Sequence, residues 1–129
     1  MKTILVIDDD PIMRETIRDI LQVEEFNVVL ASNGKEGMAF LDILEVDMIL
    51  TDVLMPEKDG IEVIMEAKRK FPKIKILAIS GGGFISAKNY LKMARDLGAN
   101  ASVMKPFDID DLVNNVNRLL GENACPEVR

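Results

Sequence analysis

The fold is decided by residues 3–11, whose sequence is Thr-Ile-Leu-Val-Ile-Asp-Asp-Asp-Pro. The continuous apolar run from Thr3 to Ile7 is rich in β-branched residues and predicts a short strand buried on both faces. Asp10 and Pro11 then supply an N-cap and a proline at the first helical position, which are typical of a helix start. A buried strand that passes directly into a helix indicates a parallel sheet covered by helices.

The same strand-to-helix unit recurs along the whole chain. We predict strands at 3–7, 27–31, 47–51, 75–79 and 99–104, helices at 11–23, 34–44, 61–70 and 86–97, and a last helix capped by Asp108 and ended by Gly121. Crossovers between parallel strands are right-handed, and five strands in a chain of this size suit the order 2-1-3-4-5. We therefore expect an α/β fold, a flavodoxin-like doubly wound parallel sheet with five helices.

Length and composition exclude several classes of protein. The chain has 129 residues, which suit one domain at 1–121 followed by a frayed tail at 122–129. The net charge of −6 disfavours direct binding to nucleic acid or to an anionic membrane. Histidine is absent, which excludes histidine catalysis, and the single cysteine, Cys125, cannot form an internal disulfide. No apolar run is long enough for a secretion signal or a membrane span, so we expect a cytoplasmic protein.

Polar residues follow four of the predicted strands at the point where each strand ends. They are Asp8, Asp9 and Asp10 after the first strand, Asp52 after the third, Ser80 after the fourth and Lys105 after the fifth. Ligands of open parallel sheets bind beyond these carboxyl ends, where the strand order reverses. We therefore expect several carboxylates, one hydroxyl and one ammonium to meet in one pocket.

Close carboxylates beside a lysine have a specific chemical meaning. Like charges a few ångströms apart are costly unless a cation shares the site, and Mg²⁺ prefers oxygen ligands. A carboxylate can also attack phosphorus and form an aspartyl phosphate. Phosphoryl transfer needs little more than positioning and charge neutralisation, which a cation and Lys105 could supply.

Simpler interpretations exist for each residue taken alone. Capping fully explains Asp10, and Asp8 and Asp9 could belong to an ordinary turn. Asp52 and Ser80 could be plain loop residues, and Lys105 a surface lysine. Their joint placement at four strand ends is what favours a functional site. The glycines at 81–83 are not a phosphate-binding loop, because the Gly-Lys-Ser/Thr ending is absent.

Four motifs in order resemble the receiver domain of two-component response regulators. They are the apolar run 4–7 with Asp8-Asp9-Asp10, the segment DMILTDVLMP at 47–56 with Asp59-Gly60, ILAISG at 76–81 and VMKPF at 103–107. The likeness extends from about Lys2 to Leu120. Each motif alone is weak, whereas four at the family's spacing are specific.

The resemblance implies a role for each matching residue. Asp52 would be the phosphoacceptor, and Asp8 and Asp9 the acidic pair that holds Mg²⁺, with Asp9, Asp52 and the Leu54 carbonyl as direct ligands. Ser80 would be the switch hydroxyl that moves to the phosphoryl group, and Lys105 its electrostatic partner. Pro106 would follow Lys105 through a peptide bond that is often cis in the family. Ser102 departs from the pattern, because the family usually has a switch aromatic at that position.

The resemblance also implies how the protein works. A single-domain response regulator would take a phosphoryl group from the phosphohistidine of a sensor histidine kinase or histidine phosphotransfer protein, and its altered surface would be recognised by a downstream protein. It would not be a turnover enzyme. Three alternatives stay open: a dehalogenase-type phosphatase that uses Asp8-x-Asp10, a receiver fragment of a longer regulator, and a degenerate receiver that only binds partners.

One apolar residue of the first helix is expected to face solvent. Met13, Ile17, Ile20 and Leu21 form the stripe that faces the core, and Ile12 lies well off this stripe at about 100° per residue. An outward-facing Ile12 beside Asp9 suits docking of a kinase helix, as the resemblance also implies, although single exposed isoleucines are common.

Overall fold

A computed structural model describes residues 1–53, 60–80 and 92–121 of the chain. It contains one five-stranded sheet with the strand order β2-β1-β3-β4-β5. The strands are β1 (Thr3–Ile7), β2 (Asn27–Ala31), β3 (Met48–Asp52), β4 (Lys75–Ser80) and β5 (Ala101–Met104). All neighbouring pairs are parallel, which confirms the predicted flavodoxin-like, doubly wound architecture.

Five helices connect and cover the strands, as predicted. They are α1 (Pro11–Val23), α2 (Gly34–Ile43), α3 (Gly60–Lys70), α4 at residues 92–97 and α5 (Ile109–Leu120). The predicted beginning of α4, at residues 86–91, lies outside the described residues. Within the described ranges, no helix is both long enough and apolar enough to cross a bilayer.

Two apolar cores cover the two faces of the sheet. Successive strand residues point to opposite faces, so Leu5 and Ile7 enter one core while Ile4 and Val6 enter the other. All four are completely buried, which explains why β1 lacks polar alternation. The first core is closed by α2, α3 and α4, and the second by α1 and α5.

Local capping explains where α1 and α2 begin and where α5 ends. The Asp10 side chain accepts a hydrogen bond from the Ile12 N–H at 3.0 Å, and Asn33 accepts one from the Glu36 N–H at 2.8 Å. Gly121 ends α5 in the left-handed conformation that glycine adopts without strain. Asp108 occupies the N-cap position of α5, but its side chain makes no capping hydrogen bond, so its predicted capping role was wrong.

The strand bounds differ from the prediction at four positions, the first of which is the start of β3 at Met48, one residue later than expected. β3 and β4 each extend one residue further, so Asp52 and Ser80 are the last residues of their strands and lie inside the rigid sheet. β5 begins two residues later, at Ala101. The Ala99 N–H closes the end of α4 by donating to the Ala94 carbonyl, and the side chain of Asn100 accepts from the Ile76 N–H instead of extending the strand.

Candidate functional site

The predicted site residues lie together at the carboxyl edge of the sheet. β1 and β3 are neighbours at the point where the strand order reverses, and Asp8 and Asp52 lie at their ends. The Asp8 N–H donates to the Ala31 carbonyl at 3.2 Å, and the Lys105 N–H donates to the Ser80 carbonyl at 2.8 Å. These backbone bonds fix the residues that follow β1 and β5 against the neighbouring strands.

Asp8 forms the buried floor of the site. Its side chain is fully enclosed, with Oδ1 accepting from the Asp10 N–H at 2.9 Å and Oδ2 accepting from the Lys105 ammonium at 3.0 Å. Both carboxylate oxygens therefore have donors, as a buried charge requires. The backbone carbonyl of Asp8 also accepts from Nη1 of Arg14 at 2.8 Å. Sequence reasoning missed Arg14, because an arginine in the first turn of a helix carries no signal of such a contact.

Lys105 bridges two acidic residues that are far apart in sequence. Its Nζ atom lies 3.0 Å from Oδ2 of Asp8 and 3.1 Å from Oδ2 of Asp52. Burial alone lowers the pKa of this ammonium, but the charges of Asp52 and Asp8 and their hydrogen bonds outweigh burial and place the pKa above its ordinary value. Lys105 is therefore held as a cation between the two carboxylates.

The three carboxylates that were predicted to converge do so. Asp8, Asp9 and Asp52 each offer an oxygen, and these oxygens all lie within 4.8 Å of one another. Asp8 and Asp52 are buried, whereas Asp9 is exposed at the mouth of the site. The Lys105 ammonium offsets only part of this negative charge. An oxygen-rich donor set with excess negative charge and one open side fits a hard divalent cation such as Mg²⁺.

The other predicted site residues have these positions. Ser80 is fully buried at the end of β4, opposite Met104 of β5. The Lys105–Pro106 peptide bond is cis, as the resemblance implied. Ser102 is half-buried on β5 and pairs with Ala78 of β4. The predicted Leu54 ligand and the glycines at 81–83 lie outside the described residues.

Gly60 positions the strand that carries Asp52. It is the first residue of α3, and its N–H donates to the Val53 carbonyl at 2.9 Å. A Cβ atom at this position would overlap the Asp52 carbonyl oxygen and would lie 2.6 Å from the Cα atom of Val53. The sequence indicated only a turn at Asp59-Gly60, whereas the structure shows that the missing side chain lets α3 begin against the end of β3.

Ile12 faces solvent beside the acidic pocket, as predicted. Its side chain is 77% exposed, whereas Ile17 and Leu21 of the same helix are completely buried. Ile12 follows the Asp10 cap directly after Pro11, so it lies at the pocket end of α1.

Comparison with known proteins agrees with this geometry. A family model of the response regulator receiver domain matches residues 4–117. The chain belongs to this family. Solved receiver domains share its fold: a protein from Clostridium thermocellum has a TM-score of 0.86 and 27% identity over 95% of this chain and 96% of that one. The response regulator TrrA from Thermotoga maritima, solved in complex with Mg²⁺-BeF, has a TM-score of 0.83 and 31% identity over 93% of this chain and all of that one.

Curated relatives of this receiver domain differ in length. The response regulator receiver protein CpdR of Brucella abortus is 34% identical over 93% of this chain and 98% of its own length. The transcriptional regulatory protein CpxR of Klebsiella pneumoniae is 32% identical over 98% of this chain but only 53% of its own length. The chain thus spans about half the length of the CpxR proteins that it matches.

Proposed function

We propose that this receiver domain accepts a phosphoryl group on Asp52 from the phosphohistidine of a sensor histidine kinase or histidine phosphotransfer protein. The observation that carries the proposal is the contact of the Asp52 carboxylate with Lys105 at 3.1 Å, inside a cluster of three carboxylates at the switch point of the sheet. The donor histidine must come from a partner, because this chain has none. The exchange would take place in the cytoplasm.

In the proposed reaction, a carboxylate oxygen of Asp52 attacks the phosphorus atom. The new O–P bond forms as the P–N bond to the partner's imidazole breaks, and the imidazole leaves with the electron pair of that bond. Asp52 is suited to attack because the end of β3 fixes its backbone and Lys105 fixes its carboxylate. Its location next to exposed Asp9 leaves the mouth of the site open to a donor.

Asp9 and Asp52, with Asp8 behind them and the Leu54 carbonyl predicted from the resemblance, would hold Mg²⁺. When bound, the ion supplies positive charge for the oxygens of the transferring phosphoryl group. Lys105, which follows β5, contributes a second positive charge. Its contact with Asp8 keeps the ammonium oriented in the absence of phosphate. Ser80 would act as the switch hydroxyl that donates to a phosphoryl oxygen.

The phosphatase alternative is disfavoured by the position of Asp10. A dehalogenase-type enzyme would need Asp10 as its acid, beside Asp8 as the nucleophile. The carboxylate of Asp10 instead caps α1 through the Ile12 N–H, and Asp8 already has donors on both oxygens. We therefore propose a signalling module that is phosphorylated once on Asp52 and recognised by a downstream protein, and not a turnover enzyme.

We further propose that the domain acts alone, because CpdR, which this chain matches over nearly its whole length, is itself a receiver protein. The alternative is the receiver part of a longer regulator, as in CpxR. The net charge of −6 disfavours direct contact between this domain itself and nucleic acid.

The distinguishing experiment compares labelling with turnover. The chain is incubated with Mg²⁺ and either acetyl phosphate or p-nitrophenyl phosphate, and bound phosphoryl groups and released product are counted. We expect about one phosphoryl group per chain from acetyl phosphate and no sustained release of p-nitrophenol. Many turnovers of p-nitrophenyl phosphate that persist in Asp52→Asn would contradict the proposal and favour a phosphatase.

A further inference from the structure

Thr51 is a buried polar residue that lies next to the phosphoacceptor but outside the pocket. In the described part of the chain, four polar or charged residues are buried: Asp8, Asp52, Ser80 and Thr51. The first three belong to the pocket, whereas Thr51, which is completely buried, directly precedes Asp52 in β3. Its residue type carries no functional signal in the sequence, because threonine is common in strands.

The Thr51 side chain lies on an apolar face of the sheet. Successive strand residues point to opposite faces, so Thr51 shares a face with Ile49 and Val53, which are both completely buried in the core closed by α2, α3 and α4. A hydroxyl is costly in such surroundings unless it is hydrogen-bonded, and valine offers a similar branched shape without that cost. The apolar core therefore explains a β-branched residue at position 51 but does not explain its hydroxyl.

The hydroxyl contacts the backbone of the proposed phosphoacceptor. Oγ1 of Thr51 donates to the carbonyl oxygen of Asp52 at 2.9 Å. The peptide unit that contains this carbonyl ends in the N–H of Val53, which donates to the carbonyl of Ile79 in β4 at 2.9 Å. Both polar ends of the Asp52–Val53 peptide unit are thus held, one by the Thr51 side chain and the other by the neighbouring strand.

The same carbonyl oxygen lies against the beginning of α3. A Cβ atom at Gly60 would overlap it, and the Gly60 N–H donates to the next carbonyl, that of Val53, at 2.9 Å. Packing limits how closely α3 approaches, whereas a hydrogen-bond donor favours one direction of the carbonyl. The direction of this carbonyl defines the ψ angle of Asp52, and hence the path of the chain from Asp52 toward Leu54, the metal ligand that the resemblance implies.

We propose that Thr51 is a positioning residue, whose hydroxyl holds the Asp52–Val53 peptide unit in the orientation that presents the Asp52 carboxylate to the phosphoryl donor. This inference rests on the function proposed for Asp52. Lys105 contacts the carboxylate in the pocket, and Thr51 holds the backbone of the same residue from the opposite face of the sheet. A misplacement of the reacting atom by about 1 Å can slow a reaction about a hundredfold, so one hydrogen bond at this position can affect the rate.

The test separates the hydroxyl of Thr51 from the packing of its side chain. Thr51→Val keeps the branched shape and loses the hydroxyl, whereas Thr51→Ser keeps the hydroxyl and loses a methyl group. We expect Thr51→Val to be labelled by saturating acetyl phosphate and Mg²⁺ at least about fivefold more slowly than the wild type. Its melting temperature should change little, because removal of a buried hydroxyl offsets the loss of the hydrogen bond.

Thr51→Ser should show the reverse pattern. It should melt at a lower temperature, because the lost methyl group leaves a cavity, and yet be labelled within about twofold of the wild-type rate. A purely structural role of Thr51 would instead make the labelling rate follow the melting temperature. The matched control is Thr16→Val, which removes another threonine hydroxyl that donates to a carbonyl, that of Ile12 at 2.7 Å on the exposed side of α1. This control should be labelled like the wild type.

A second measurement needs no phosphorylation. Amide hydrogen exchange of Val53, measured by NMR relative to Leu50 in the same strand, should accelerate about tenfold in Thr51→Val but not in Thr51→Ser. The proposal is wrong if Thr51→Val is labelled as fast as the wild type, if Thr51→Ser is as slow as Thr51→Val, or if Val53 exchanges equally in all three proteins. A wild type that takes up no phosphoryl group would instead contradict the function proposed for Asp52, and the exchange of Val53 would still decide whether Thr51 positions the peptide unit.

Discussion

Nζ of Lys105 lies 3.1 Å from Oδ2 of Asp52, although 53 positions separate the two residues in sequence. The same ammonium contacts Asp8, whose carboxylate is fully buried. This ammonium lies between two carboxylates that would otherwise repel each other, so its removal should affect both stability and the affinity for a cation.

The first prediction concerns Lys105→Met. In EDTA the variant should be less stable than the wild type by roughly 2–4 kcal/mol, because two carboxylates lose their shared cation. Mg²⁺ should bind the variant more tightly, since the carboxylate cluster is then more negative. Thermal melting across a Mg²⁺ titration measures both effects, with Lys92→Met as a control on an exposed lysine. Weaker Mg²⁺ binding by the Lys105 variant would contradict the expectation that the ammonium offsets part of the negative charge that attracts the ion.

The second prediction concerns the exposed carboxylate of the cluster. A ligand that binds only the folded state raises stability, so Mg²⁺ should raise the melting temperature of the wild type. Asp9→Ala should abolish this rise. Asp10→Asn is the matched control, because it removes a neighbouring charge but keeps a side chain that caps α1. If the Mg²⁺-dependent rise in melting temperature persisted in Asp9→Ala and disappeared in Asp10→Asn, Asp9 would not be a metal ligand.

The third prediction concerns Gly60. Because a Cβ atom would overlap the Asp52 carbonyl, Gly60→Ala should destabilise the protein by about 1–3 kcal/mol, the usual cost of overpacking. It should also slow labelling by acetyl phosphate, since the end of β3 must shift. The control is Gly121→Ala, where nothing lies within 4 Å and only the left-handed backbone is strained. Equal labelling rates in both variants would mean that Gly60 does not position Asp52.

The fourth prediction concerns kinase docking at Ile12. Ile12→Glu should slow phosphotransfer from a partner kinase but leave labelling by acetyl phosphate unchanged, because the side chain points away from the core. Val23→Glu is the control: its side chain is 78% exposed on the same helix, but at the end remote from Asp9. If the Ile12 variant lost both activities equally, the substitution would have damaged the pocket itself.

Much of the fold and of the pocket could be predicted from the sequence. β1 lacks alternation because Ile4 to Ile7 are buried on both faces, and this pattern with the Asp10-Pro11 start identifies a doubly wound sheet. Parallel strands end at one edge, so polar residues that follow different strands must meet there. This rule is sufficient to place Asp8 next to Lys105 across 97 positions of sequence.

What could not be predicted depends on contacts that no local pattern encodes. Arg14 donates a hydrogen bond to the Asp8 carbonyl, and Gly60 packs on the Asp52 backbone. Both contacts depend on how helices α1 and α3 pack against the sheet, which no local sequence pattern specifies. Asp108 has the residue type and position of a cap but makes no capping bond. The start of β5 was misplaced because the Asn100 side chain, rather than a strand backbone, satisfies the Ile76 N–H.

Intact-protein mass spectrometry after incubation with acetyl phosphate and Mg²⁺ measures the proposed reaction of Asp52 most directly. The wild type should gain about 80 Da, the mass of one phosphoryl group, and Asp96→Asn, an exposed control, should gain the same. Asp52→Asn, and the wild type in EDTA, should gain nothing. An equal gain in folded Asp52→Asn, or no gain in the folded wild type with Mg²⁺, would contradict the assignment of Asp52 as the phosphoacceptor.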